Sequence, residues 1–231
     1  MDLKFIGLIT ILLLFFGCEY PSLVRNEIIY FNDFEDNNLS EIDGGKINDF
    51  NNSSVLGFYN KDGFNLNLSK IGEHDYVVIS FDLYIHGTWD GNKNGFEKDD
   101  QPDKWIMELR PDMELYQNTD FIKFETTFSS SACFSNWCKR QSYPQSFPFE
   151  NNPFSGASQI GLPRTCTGFW GGESVLYKIE KTFKHKGDAL IIRFFDELYQ
   201  PNAIDDFGIS TEICDESWSM DNLKVRAISY K

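Results

Sequence analysis

The stretch that most constrains this chain is Tyr76–His86. Val77, Ile79, Phe81, Leu83 and Ile85 fall on one side of an extended backbone, and Ser80, Asp82, Tyr84 and His86 on the other. A period of two sustained over that length predicts a β-strand with one face against a core and the other toward solvent. On this reading His86 is a surface residue. Shorter runs of the same kind lie at Ile28–Phe34, Val55–Tyr59, Phe64–Leu68, Trp105–Leu109, Phe121–Phe128, Leu176–Phe183, Ala189–Phe195 and Leu223–Ile228. Asp62-Gly63, between the second and third of these, is a hairpin signal. No comparable window carries a 3.6-residue period. Aromatic residues make up 16% of the chain, a richness that suits sheet faces. The expectation is an all-β, antiparallel β-sandwich forming one domain over residues 27–231.

What precedes that domain reads differently. Lys4 is followed by an apolar run from Phe5 to Phe16, then Gly17-Cys18. The run is short for a membrane span and reads as a secretory signal over residues 1–17. A small residue directly before cysteine at its end resembles a bacterial lipoprotein signal. That resemblance implies cleavage before Cys18, lipidation of its sulfur, a short lipid-anchored tether over residues 18–26, and a place in the bacterial cell envelope; Glu19 after the cysteine is no obvious retention signal, so the outer membrane is the expected site. The bilayer is then a partner through Cys18.

Five cysteines are an odd number for an exported chain. With Cys18 lipidated, Cys133, Cys138, Cys166 and Cys214 remain for two disulfides in an oxidising compartment. Three pairings are open; Cys133–Cys138 as a local clasp with Cys166–Cys214 as a long-range tie is the favoured one. Zinc is the competing use of four cysteines, but no paired Cys-x-x-Cys is present.

The net charge of −14 argues against nucleic acid as a partner, because phosphate binding needs a basic surface. Acidic residues concentrate between Trp89 and Trp105, which bracket Asp90, Asn92, Asn94, Asp99 and Asp103. Oxygen donors at alternate positions followed by Gly95 match the first half of a calcium loop. The second half does not match, since Gln101 stands at the closing position. Asp90, Asn92 and Asp103 are the leading calcium ligands, with Asn94 and Asp99 as further candidates; the alternative is a solvated acidic loop.

A long irregular stretch, residues 129–173, holds three of the four remaining cysteines and reads as a cysteine-containing insertion. Insertions on a rigid scaffold often carry binding residues, although this one also reads as a stapled cover over a sheet. Sugar rings stack on flat exposed aromatics with polar neighbours. Trp89, Trp137, Tyr143 and Trp170 are the candidates for a glycan contact.

Several segments together resemble a family of secreted jelly-roll domains related in shape to concanavalin-like and carbohydrate-binding sandwiches. They are Thr88-Trp89-Asp90-Gly91-Asn92, Pro102-Asp103-Lys104-Trp105, Thr126-Thr127-Phe128-Ser129, Gln141-Ser142-Tyr143-Pro144 and Asp215-Glu216-Ser217-Trp218-Ser219-Met220-Asp221-Asn222. The likeness runs from about Tyr76 to Val225 and departs at Thr88, Gln101, Ser219 and the cysteine-bearing insertion. It implies a jelly-roll fold and an extracellular setting. Glu35 and Asp221 also resemble the pair that holds one structural calcium in many carbohydrate-binding jelly rolls, which makes them a second candidate site.

His74, His86 and His185 show no metalloprotease spacing, and no Gly-x-Ser-x-Gly is present, so no catalytic residue is assigned. The expectation is an envelope lipoprotein presenting a calcium-stabilised sandwich that binds glycan or protein ligands. The alternatives are a structural surface lipoprotein without a specific ligand, and a carbohydrate-active lyase or hydrolase.

Overall fold

The computed structural model describes residues 20–92, 101–111, 122–134, 138–166, 172–200, 203 and 211–231. The signal segment with Cys18, and also Asn94, Asp99, Trp137 and Trp170, lie outside the described residues. The strands are β1 (Leu23–Asn32), β2 (Ile42–Asp43), β3 (Ile47–Phe50), β4 (Ser53–Tyr59), β5 (Gly63–Ser69), β6 (Tyr76–Gly87), β7 (Lys104–Pro111), β8 (Ile122–Thr127), β9 (Gln159–Leu162), β10 (Ser174–Lys184), β11 (Ala189–Glu197) and β12 (Glu216–Tyr230). One short helix, α1 (Glu212–Asp215), leads into β12.

The strands form two antiparallel sheets, the sandwich that the alternation implied. One has the order β3-β4-β12-β6-β10-β9, with β1 also paired to β12; the other runs β2-β5-β11-β7-β8. The chain changes sheet repeatedly, so neighbours in a sheet come from distant parts of the sequence. The two ends of the domain pair directly, Ile28 opposite Arg226 and Phe31 opposite Lys224.

The core lies between the sheets. Val77, Ile79, Phe81, Leu83 and Ile85 of β6 all face it, as their alternation requires. Trp218 is its aromatic hub, with ring centroids 4.7 Å from Tyr59 and 5.9 Å from Trp105. Each such fully buried large side chain contributes roughly 1.5–3 kcal/mol through area removed from water.

Two local expectations are overturned. Asp62-Gly63 does not close a hairpin: β4 lies in one sheet and β5 in the other, so the turn carries the chain across the sandwich. The Asp196 carboxylate organises the crossing by accepting the backbone N–H of Lys61 at 2.7 Å and, more weakly, that of Asp62 at 3.4 Å. Gly63 is required there because a Cβ would stand 2.0 Å from the Phe194 carbonyl oxygen.

His86 is not a surface residue but is fully buried. Phe50 and Phe58 pack their rings against it, with centroids at 4.7 and 4.9 Å, so the outer face of β6 is covered at this end. Its ring bonds Ser174 Oγ at 2.8 Å through Nδ1 and Ser219 Oγ at 2.7 Å through Nε2. Burial holds its pKa down at about 3, so the ring is neutral at physiological pH.

The strand β1 begins at Leu23, inside the stretch expected to be tether. Both disulfides follow the favoured pairing, with Cα–Cα distances of 4.3 Å for Cys133–Cys138 and 5.5 Å for Cys166–Cys214. Among the described residues no helix is long and apolar enough to cross a membrane.

Candidate metal centre

Strand periodicity builds the site. Trp218 faces the core, and Glu216, two residues earlier on β12, takes the same side. Trp105 faces the core, and Asp103, two residues earlier, sits at the entrance to β7. Both acids therefore extend core-facing rows at the same end of the sandwich. Asp90 follows β6 and bridges to Ser129. The three carboxylates each offer an oxygen, and these oxygens lie within 4.8 Å of one another.

Asp103 and Glu216 are almost wholly buried, at 1% and 3% exposure. Asp103 uses both oxygens: Oδ2 accepts the Asp90 backbone N–H at 2.8 Å and Oδ1 that of Tyr199 at 3.0 Å. Glu216 Oε2 is buried with no hydrogen-bond partner. Lys139 forms an ion pair with Asp90. Asp215, beside the cluster, accepts the Thr88 hydroxyl at 2.8 Å.

Burial dominates the electrostatics. It pushes Asp103 up to about 7, against the opposing effect of the Tyr199 N–H. Burial raises Glu216 as well, and the Asp103 and Asp215 charges raise it further while Lys139 opposes them. The Lys139 ammonium is shifted down by burial, and the Glu216 and Asp215 carboxylates counter that shift. The pair Asp103–Glu216 thus retains a proton at neutral pH in place of two charges.

Such a group can hold a metal ion. Three carboxylate oxygens are hard donors, and an orphaned buried oxygen on Glu216 is what a cation would satisfy. Binding would require the proton to leave and the Lys139 ammonium to yield its place. A reaction on a large substrate is disfavoured here, because two of the three carboxylates are closed off from solvent.

Asp90 and Asp103 come together as the spacing suggested. Asn92 does not join them. Its Oδ1 accepts the hydroxyls of Thr127 and Ser142, the latter at 2.8 Å, and its Nδ2 donates to the Phe149 carbonyl at 2.6 Å. It pins the cysteine-bearing segment to the sheet. Gly91 permits that approach, with φ of +77° and a Cβ position only 2.2 Å from the Arg140 carbonyl oxygen. Glu216 was missed by sequence reasoning. The signal was present: Asp103-x-Trp105 and Glu216-x-Trp218 share one spacing, an acid on the same strand face as a core tryptophan.

The two disulfides flank the site. Cys138 immediately precedes Lys139, and Cys214 immediately precedes Asp215 and Glu216. Gln141 organises the rest of the segment. Its Oε1 accepts the N–H groups of Ser129 at 3.2 Å and Phe154 at 2.9 Å, and its Nε2 donates to the carbonyls of Tyr143 and Ser155, each at 3.0 Å. Part of the stretch expected to be irregular is the strand β9.

Trp89 and Tyr143 present no ring face to solvent, contrary to the expectation for a glycan platform. Trp89 is fully buried, packs edge-on against Phe128 and donates its indole N–H to the Ser217 carbonyl at 3.1 Å. Tyr143 packs between Phe128 and Tyr177, with centroids at 5.1 Å from each.

The second candidate pair also converges. Ser53 Oγ donates to Glu35 Oε1 at 2.5 Å and lies 3.4 Å from Asp221 Oδ2. Asp82 pairs with Asp221 across the strands and was not foreseen. Burial, then the charges of Asp82 and Glu35, push Asp221 up to about 6.

A scan of protein-family models and a search of curated proteins each returned no match to this chain.

Proposed function

We infer that this chain is a lipid-anchored protein of the bacterial cell envelope. Its sandwich is a calcium-stabilised binding module for a glycan or protein ligand. The observation that carries this reading is the Asp90–Asp103–Glu216 group, with Asp103 and Glu216 buried and one Glu216 oxygen orphaned. An all-oxygen donor set suits a hard cation, and an exported chain meets abundant calcium. The Glu35–Asp221 pair bridged by Ser53 is a second place for calcium. The resemblance of the tryptophan-bracketed and Gln-Ser-Tyr-Pro segments to secreted jelly-roll domains supports the extracellular setting, Gly17-Cys18 supports the lipid anchor, and Glu19, which is no obvious retention signal, supports the outer membrane.

A structural surface role without a specific ligand is the second reading. The burial of Trp89 and Tyr143 favours it, because two of the four aromatics expected at a sugar site serve the core instead. The test takes metal-stripped full-length protein in detergent and follows calcium binding calorimetrically, then screens the calcium-loaded protein against a glycan array. Calcium binding with no glycan retained would favour the structural role. Absence of calcium binding would overturn the metal reading itself.

A further inference from the structure

We propose that the outer face of β1, together with the end of β12, lies on the surface of the lipid bilayer as a second membrane contact beside the acyl anchor. This rests on the lipid anchor at Cys18 and adds an orientation to it. Among the described residues the large apolar side chains left exposed are concentrated here: Tyr20, Leu23, Val24, Ile28, Phe31 and Tyr230, each between 46% and 91% exposed. The strand register explains why four of them share one face. Leu23 stands opposite Tyr230, Ile28 opposite Arg226 and Phe31 opposite Lys224, and none of these is core-facing.

Only a short length of chain separates Cys18 from β1. From Cys18 to Pro21 the chain spans at most about 11 Å when fully extended. Pro21 itself lines a hollow of about 580 Å³ on the same sheet face, bounded also by Tyr76, Val78, Lys184, Ile228 and Tyr230. A lipidated Cys18 would therefore place this face, rather than the metal-centre end, at the headgroups.

Charge agrees with geometry. The chain carries a net −14, yet Lys224 and Arg226 alternate along β12 beside the apolar row, and Lys178 and Lys184 follow on β10. Two of the acids on the face have cationic neighbours, Glu180 at 3.2 Å from Arg226 and Asp82 at 3.8 Å from Lys178, and a third, Asp221, stands opposite Asp82. Apolar side chains entering the acyl boundary with basic ones at the headgroups is the pattern of an interfacial element on anionic lipid. An acidic protein partner would find the basic row but no use for the apolar one, so the bilayer is the occupant argued for.

The test is covalent footprinting of the full acylated chain in phosphatidylethanolamine–phosphatidylglycerol vesicles against the same chain in detergent-free solution with its acyl chains removed. Labelling of Leu23, Ile28, Phe31 and Tyr230 is expected to fall several-fold on vesicles, with Ile122 and Ile213 unchanged as exposed controls. Ile28→Asp with Phe31→Asp should restore labelling of Tyr230 while the protein still sediments with vesicles. Intact-mass measurement reads the anchor separately. A missing acyl mass would overturn the anchor and the contact together. An acylated chain labelled equally at all sites would overturn the contact alone, as would protection that appears only when a second protein is added.

Discussion

Asp103 and Glu216 meet, buried, at one end of the sandwich as a carboxyl pair, although one immediately precedes β7 in one sheet and the other opens β12 in the opposite sheet. Each sits two residues before a core tryptophan, and each has its pKa raised by burial. The pair is costly as two bare charges and stable when it holds a proton or a cation.

Calcium binding should therefore release protons and tighten as pH rises through about 7, the value to which Asp103 is pushed. With a dissociation constant of roughly 0.1–1 mM, typical of extracellular sites, a hundredfold excess of free calcium should stabilise the fold by about 2.7 kcal/mol. Glu216→Gln removes the buried charge while keeping the shape. It should raise the melting temperature of the metal-free protein and abolish the calcium response at this site. A Glu216→Gln protein that melts lower without metal and shifts normally with calcium would place the ion elsewhere, with Glu35 and Asp221 next in line.

Metal-free protein should lose stability as pH rises from about 4 to about 7. Asp103 at about 7, Asp196 and Asp221 at about 6, and Glu216 all hold protons in the folded state that the unfolded chain has already released. A raised carboxyl pKa contributes stability below the unfolded value of about 4, and that contribution is gone above the folded value. Asp62 and Glu125 act oppositely: burial raises them but lysine bonding outweighs it and lowers both, so their contribution vanishes only as pH falls below about 4. Urea melts in chelator across this range check the sign, and a stability that climbs steadily to neutral pH would contradict it.

Replacing Cys166 and Cys214 by alanine opens a loop of sequence separation 48. The chain-entropy relation puts the loss near 4 kcal/mol for a loop of this size. The thermal midpoint should fall accordingly, and the calcium response should weaken because Cys214 adjoins Asp215 and Glu216. The Cys133→Ala, Cys138→Ala protein opens a far shorter loop, of sequence separation 5, and should lose less stability.

Trp218→Phe tests the crossing between the sheets. The indole N–H donates to Asp196 Oδ2 at 2.8 Å, and the same carboxylate holds the Lys61 and Asp62 amides. Loss of that donor leaves a buried acceptor short by one bond, a cost of about 1–3 kcal/mol. Because the donor also lowers the Asp196 pKa, the variant should be destabilised more at pH 7 than at pH 5. Equal destabilisation at both would separate the bond from the carboxylate's ionisation.

His86 should give no imidazole titration by nuclear magnetic resonance between about pH 5 and 8, since burial holds its pKa near 3. A midpoint in that interval would mean that the covering rings of Phe50 and Phe58 move away.

Some of the site was readable in the chain. Asp90 and Asp103 share one acidic stretch, so their nearness in sequence brought them to attention together. Glu216 shares no stretch with them, and only the pairing of β12 with β6, which sets Glu216 opposite Gly87, carries it there. Asn92 failed as a ligand for a related reason. Alternating oxygen donors do not reveal which will be claimed by a distant hydroxyl or carbonyl, here Ser142 and Phe149. Trp89 and Tyr143 look identical in sequence whether they face sugar or core; their exposure depends on what covers them.

By itself the sequence determined the all-β class and the core-facing row of β6, and it favoured the local Cys133–Cys138 clasp. These depend on the period-two geometry of an extended chain and on a loop of sequence separation 5, both local properties; Cys166 and Cys214, 48 positions apart, are brought together by the tertiary fold. The tertiary structure decided which sheet each strand joined, turning Asp62-Gly63 from a hairpin into a crossing. It decided also that the outer face at His86 is covered and that Glu216 completes the carboxylate group. Those outcomes depend on contacts between residues far apart in the chain, whose energies arise only when both sheets are packed together.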